Sequence, residues 1–263
     1  MAPKLLVVGG GKMGSALLGG LIAAGWAPVA ELAVSEPDPA QRQRLSEDHP
    51  GLRVVDGVVP ADGAVLAVKP EVAEAVLRTM AAVEITRVLS IVAGLSSARL
   101  EAALGPGGVV VRAMPNTPAL VGSGVAAMSG GSAAQAADLD WAEGILASVG
   151  AVVRLPERHL DAVTGVSGSG PAYVFLVAEA MIEAGISAGL SREVSRQLVV
   201  GTILGSARMM AETGEDPAEL RAAVTSPGGT TAAALRTLEF KAVRSAFIEA
   251  VAAATERSKQ LGR

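Results

Sequence analysis

The sequence predicts an α/β fold, an amino-terminal parallel sheet with helical crossovers followed by an all-helical carboxy-terminal third. Three observations carry this. Short β-branched runs alternate with amphipathic stretches up to about residue 155, the strand signal then ceases, and Leu5-Leu6-Val7-Val8 runs directly into Gly9-Gly10-Gly11-Lys12-Met13-Gly14.

Residues 5–8, 32–35, 53–55, 64–68, 88–92 and 109–113 read as strands, with helical segments after most of them. Strand, helix and strand repeated in this way give a parallel sheet, because parallel neighbours need a crossover. Residues 125–128 and 151–155 flank a helical segment over 133–148 and can extend the sheet at its edge. Beyond residue 156 the segments 171–188, 192–213 and 241–261 are rich in Ala, Leu and Val at helical spacing. Asp216-Pro217-Ala218-Glu219 is a helix start, with Asp as cap, Pro at the first position and Glu three residues after the cap. The domain boundary falls near Pro156, giving residues 1–155 and 156–263. Residues 164–178 carry no charge, so the first carboxy-terminal helix should be buried on nearly all sides. In a helical domain of this size that predicts burial against another subunit.

Composition removes several function classes. The 263 residues include no cysteine and only two histidines, His49 and His159, 110 positions apart. Disulfide scaffolds, thiolate zinc sites and cysteine nucleophiles are excluded, and no metal-ligating cluster is in view. The net charge of −4, from 22 basic and 26 acidic residues, offers no footprint for nucleic acid. Residues 13–30 and 113–137 are uncharged, but Gly and Pro interrupt both, so neither reads as a membrane span. The amino terminus lacks a secretory pattern, and the expected location is the cytoplasm. Gly165-Val166-Ser167-Gly168-Ser169 approaches a hydrolase elbow but ends in Ser rather than Gly.

The glycine turn is the first positive signal. G-x-G-x-x-G between a strand and a helix is the context that gives this motif meaning. Gly9 permits the tight turn, Gly11 lets a pyrophosphate approach the backbone, and Gly14 lets helix and strand pack closely. An NTPase loop fails on the residues, since Met13 follows Lys12 where Ser or Thr should hold magnesium. Glu36 closes the second strand 22 residues after Gly14, where an acid accepts ribose hydroxyls and repels a 2′-phosphate. Ser35, Arg42 and Arg44 are available to a 2′-phosphate, so NADH and NADPH both stay open.

Further clusters follow later strands: Ala67-Val68-Lys69-Pro70, Ala93-Gly94 and Met114-Pro115-Asn116-Thr117-Pro118. All three lie at carboxyl ends of predicted parallel strands, where ligands bind in open α/β sheets, although each also suits a plain turn. Ser226-Pro227-Gly228-Gly229-Thr230-Thr231 stands directly before a helix and presents backbone N–H groups and three hydroxyls to one point. That is either a nest for a carboxylate or an ordinary cap.

Taken in order, the glycine turn, Ala67-Val68-Lys69-Pro70, Arg112-Ala113-Met114-Pro115-Asn116-Thr117-Pro118, Gly165-Val166-Ser167-Gly168-Ser169-Gly170-Pro171-Ala172-Tyr173 and Ser226-Pro227-Gly228-Gly229-Thr230-Thr231 closely resemble the pyrroline-5-carboxylate reductases. The likeness spans nearly the whole chain. It implies NADPH- or NADH-dependent reduction of 1-pyrroline-5-carboxylate to L-proline, the last step of proline biosynthesis. It also implies a Rossmann-type domain followed by a helical dimerisation domain, a homodimer with its active site shared between two copies, and in some members a decamer built as a pentamer of dimers. The resemblance assigns the pyrophosphate to Gly9, Gly11, Lys12, Met13 and Gly14, and the ribose to Ser35 and Glu36. Ala67, Val68, Lys69, Pro70, Ala93, Gly94, Met114, Pro115 and Asn116 fall to the nicotinamide end. Ser226, Gly229, Thr230 and Thr231 hold the substrate carboxylate, with Thr231 near the ring nitrogen, and Glu157 lies where some relatives carry an acid near the ligands. Val54-Val55-Asp56 and Glu36 depart from the usual pattern and bear on the cofactor, not on the reaction. A β-hydroxyacid reductase on the same scaffold would usually need a catalytic Lys, which residues 164–186 lack.

Overall fold

The structure, a computed structural model, describes residues 2–262. Its packing resolves into two units, one holding the described residues up to Ser169 together with those from Ala252 onward, the other Gly170–Val251.

The first unit is built on eight strands: β1 (Leu5–Val8), β2 (Leu32–Ser35), β3 (Arg53–Val55), β4 (Ala64–Leu66), β5 (Arg87–Ser90), β6 (Val109–Met114), β7 (Gly124–Gly130) and β8 (Gly150–Arg154). Helices α1 (Lys12–Ala23), α2 (Pro39–Asp48), α3 (Pro70–Ala82), α4 (Ser97–Leu104) and α5 (Ala136–Leu146) lie between them, and α6 (Leu160–Val163) follows. The strand order is β3-β2-β1-β4-β5-β6-β7-β8. Its first six strands have the doubly wound order of Rossmann folds, which reverses direction between β1 and β4. The register pairs Val8 with Ser35 on one side and with Leu66 on the other.

Strands 64–68 and 88–92 of the sequence reading end earlier than expected. The Ala67 and Ile91 N–H groups still donate to the sheet, to the carbonyls of Val8 and Leu66, but their chain is already turning. All pairings are parallel except β6 with β7, which is antiparallel. The connection between those two holds only a short 3₁₀ turn, Thr117–Val121, too little for a crossover.

Alternate residues of each strand enter opposite cores. Leu5, Val7, Val34 and Leu89 face α1 and α5, where Leu17, Leu18, Leu21 and Ile145 are fully buried. Leu6, Val8, Leu66 and Val88 face α3 and α4, with Leu77, Met80 and Leu100. Burial on both faces explains why these strands read as continuous apolar runs. Each such Leu contributes roughly 1.5–3 kcal/mol.

The second unit contains α7 (Gly170–Ser187), α8 (Arg192–Thr213), α9 (Pro217–Ala223), α10 (Thr230–Phe240) and the first half of α11 (Val243–Leu261). Asp216 caps α9 as expected, its carboxylate accepting the Ala218 N–H at 2.7 Å with Pro217 at the first position. The packing boundary at Ser169 lies beyond the sequence boundary at 155/156, because residues 157–169 stay on the sheet although their strand pattern has ended. A π-helical turn, Thr164–Gly168, sits in that stretch. The uncharged run 164–178 is not buried within this chain: Phe175 and Leu176 are 63% and 65% exposed.

Candidate functional site

The glycine turn has the three roles its spacing predicts. Gly9 has φ +104°, and a Cβ there would collide with the Ala67 carbonyl oxygen. A Cβ on Gly14 would run into the Gly9 carbonyl oxygen, so only glycine lets α1 lie this close to the strand end. Gly11, which precedes α1, would meet nothing within 4 Å, leaving its backbone open to a ligand. The first turn of α1 carries no acidic side chain, so its positive end is uncompensated and suits a phosphate. Lys12 is exposed beside it and Met13 is half-buried.

Glu36 leaves β2 and turns back to this loop. One carboxylate oxygen accepts the Gly10 N–H at 2.8 Å and the other the Asp38 N–H at 2.9 Å. Ser35 is buried, and its carbonyl accepts the Gly9 N–H at 2.8 Å. Ser15 Oγ and Gln41 Nε2 both donate to the Gly10 carbonyl, and Arg42 donates to the carbonyls of Glu36 and Pro37. The loop is thus held in shape by side chains from α1 and α2.

A cleft of about 290 Å³ opens next to Met13. Ala67 and Val68 from the β4 end, Met114, Pro115 and Asn116 from the β6 end, and Ile91, Thr117 and Gly168 complete its walls. This is the crevice at the strand-order reversal where α/β folds bind ligands. The motif residues Lys69, Pro70, Ala93 and Gly94 do not line it. Lys69 and Pro70 begin α3. Gly94, at φ +83°, backs onto the carboxy-terminal segment: a Cβ there would stand 3.1 Å from the Leu261 carbonyl carbon. Sequence reasoning missed Ile91 and Gly168 as lining residues. Ile91 looks like any strand residue, and Gly168 reaches the cleft only because the π-helical turn packs on Met114.

Asn116 does structural duty at the cleft's rim. Its Oδ1 accepts the Val125 N–H at 2.9 Å, and its Nδ2 donates to the Ser167 carbonyl at 3.2 Å. Glu157 lies where Arg112 can meet it. The buried Arg112 guanidinium is 3.1 Å from Glu157 Oε1, which also accepts the Ser97 N–H at 2.7 Å. Burial pushes the Glu157 carboxyl pKa up, but the Ser97 N–H and Arg112 outweigh it and hold the group below the ordinary glutamate value.

The nest lies in the second unit and is described by itself. Gly228 has φ +69°, the Gly229 N–H bonds the Ser226 carbonyl at 3.0 Å, and Gly229 precedes α10 without any side-chain cap. A Cβ on Gly229 would collide with Ser226 Oγ, so the hydroxyl folds over the helix start. Thr230 and Thr231 are the first two residues of α10. Among the described residues there is no group of three His, Asp or Glu side chains placed to hold a metal ion.

These residues fit a dinucleotide: an open backbone at Gly11, an uncompensated helix start, an acid at the end of β2 and a largely apolar cleft at the reversal point. Comparison with known proteins points the same way. A family profile described as "Pyrroline-5-carboxylate reductase dimerisation" matches residues 157–261, and one described as "NADP oxidoreductase coenzyme F420-dependent" matches residues 4–94. The chain is 43% identical to a pyrroline-5-carboxylate reductase of Synechocystis sp., over 100% of both chains. A solved pyrroline-5-carboxylate reductase from Coxiella burnetii superimposes with a TM-score of 0.92 at 35% identity, covering 100% of each chain. The Plasmodium falciparum pyrroline carboxylate reductase, solved with NADP bound, gives 0.88 at 34% identity, covering 99% of this chain and 98% of its own.

Proposed function

The chain belongs to the pyrroline-5-carboxylate reductase family, and from that premise we infer which of its residues do the work. It is an oxidoreductase that reduces 1-pyrroline-5-carboxylate to L-proline with NAD(P)H, the last step of proline biosynthesis. The observation that carries this reading is the full-length identity to a relative of that name combined with an open glycine turn at the strand-order reversal.

With NAD(P)H bound, the chemistry supplied is hydride delivery to the imine carbon. A cyclic imine is basic enough to arrive partly protonated, so the chain need not provide a strong acid, which agrees with a sequence holding two histidines and no cysteine. The residues of this chain bind and orient. Gly9, Gly11, Lys12, Met13 and Gly14 receive the pyrophosphate, and Ser35 with Glu36 the adenosine ribose. Ala67, Val68, Met114, Pro115 and Asn116 line the nicotinamide end, while Lys69, Pro70, Ala93 and Gly94 hold that end's loops. The Ser226, Gly229, Thr230 and Thr231 nest takes the substrate carboxylate, and the Thr231 hydroxyl orients the ring nitrogen. Supporting this is the uncapped start of α10, where the N–H groups favour an anion.

Residues 1–155 serve as the dinucleotide-binding domain, and residues 156–263 as the helical dimerisation and substrate domain. The chain oligomerises through the latter. We propose a homodimer as the working unit, a pentamer of dimers as the larger assembly, and a cytoplasmic location without nucleic-acid or membrane partners. The test of function is loss of nicotinamide absorbance on adding 1-pyrroline-5-carboxylate, run with NADH and with NADPH. Proline-forming turnover with at least one cofactor is expected, and binding without turnover would overturn the reading.

A further inference from the structure

The stretch matched as a dimerisation segment, 157–261, begins and ends on the same part of the sheet. At its start, Glu157 accepts the Ser97 N–H at 2.7 Å and pairs with buried Arg112. At its end, Leu261 and Gly262 pack against Gly94, whose φ of +83° and crowded Cβ position leave no room for another residue. Arg99 in α4 reaches both ways, donating to the Gly262 carbonyl at 3.2 Å and pairing with Glu74 of α3 at 2.7 Å. The two ends are also tied to each other: the buried Ser258 hydroxyl donates to the Asp161 carboxylate at 2.7 Å. Two of these contacts fall directly on the connection between β5 and α4, at Gly94 and at the Ser97 N–H that opens α4, and the first residue of that connection, Ile91, lines the cofactor cleft.

We propose that the two ends of the dimerisation segment clamp the 91–96 connection and thereby set the width of the cofactor cleft, with Arg99, Asp161 and Ser258 as positioning residues. None of the three touches the cleft. Within the connection Val92 and Leu95 are anchored in the core and the Val92 N–H donates to Ser90 Oγ, whereas Gly94 is met by the carboxy-terminal end of the segment and the Ser97 N–H by its start. The outer part of the connection therefore takes its shape from what packs on it. The clamp therefore makes cofactor affinity depend on how the dimerisation segment is seated, a coupling of assembly to binding through one loop.

The inference rests on the cleft being the cofactor site, and its test separates the two. Ser258→Ala, Arg99→Ala and Arg99→Lys are measured in the full chain for NADH and NADPH dissociation constants by nicotinamide fluorescence, for KM and kcat, and for thermal melting. Ser258→Ala and Arg99→Ala should each raise the cofactor Kd and KM about three- to tenfold, with kcat and substrate KM within about twofold of wild type. Arg99→Lys should restore part of the affinity. Unchanged Kd in folded Ser258→Ala and Arg99→Ala proteins, or a fall in kcat at unchanged Kd, would overturn the clamp. If wild type binds neither dinucleotide, the cleft reading fails and takes the clamp with it.

Discussion

At Glu36 both carboxylate oxygens accept backbone N–H groups, so a negative charge is fixed beside the glycine turn at the end of β2. A 2′-phosphate brought to that position would meet a like charge that cannot swing away, while ribose hydroxyls would find an acceptor. NADH is the expected better cofactor, and Glu36→Ser should move the kcat/KM ratio toward NADPH by roughly ten- to hundredfold. At Thr231 the expected loss is a hydrogen bond to a charged substrate, about 1.5–3 kcal/mol, so Thr231→Ala should raise substrate KM roughly ten- to hundredfold while lowering kcat less. Unchanged KM and kcat would remove Thr231 from the site. Glu157 makes a prediction about stability. Its folded pKa is depressed, so its contribution is fully present above the ordinary glutamate pKa of about 4.3 and is lost as pH falls through the lower folded value. Melting temperatures recorded from pH 7 down to pH 3 should fall less steeply below pH 5 for Glu157→Gln than for wild type. Glu157 was legible in the sequence only through resemblance. Arg112, its partner, sits inside a strand and gave no signal of its own.

The elements were largely readable because each carries its own cause. The residues of α8 follow from apolar spacing, with Ser191 found capping it, and the start of α9 from Asp216 and Pro217. Two strand ends were overrun because the apolar pattern continues through Ala67-Val68 and Ile91-Val92 after the ladder stops, and Ala67, Val68 and Ile91 line the cleft. Pattern records burial, and cleft walls are buried as well as strands. The glycine turn offers the sharpest test at this scale. Gly11→Ala should leave the melting temperature near wild type but weaken dinucleotide binding, because its Cβ would occupy open space. Gly14→Ala should destabilise the fold by about 1–3 kcal/mol or more, because its Cβ would strike backbone. Thermal melts and dissociation constants of the pair distinguish the two effects, and equal stability losses would contradict the assignment.

For the whole molecule, the expectation of burial against another subunit came from the charge-free run 164–178, and large apolar side chains are exposed there in α7 and also in α8, α10 and α11. Phe175, Leu204, Phe240 and Ile248 are 63%, 59%, 84% and 70% exposed in the single chain. The run Glu157–Ser187 is long and apolar enough to cross a membrane by length and composition alone, yet it lies within the matched dimerisation segment. The proposed homodimer is expected to bury that apolar surface. Leu176→Asp should shift the protein toward monomer in light scattering and reduce activity with it. The packing boundary was not legible, because residues 157–169 hold to the sheet through polar contacts of Glu157 and Asn116 that no periodicity records. The cofactor's hydride is delivered to the imine carbon, C2 of 1-pyrroline-5-carboxylate, which becomes C5 of L-proline. The most direct test is turnover of 1-pyrroline-5-carboxylate with cofactor carrying deuterium at both nicotinamide C4 positions, followed by analysis of the product. L-proline with a single deuterium at C5 is expected, whereas unlabelled proline or cofactor consumption without proline would overturn this hydride transfer.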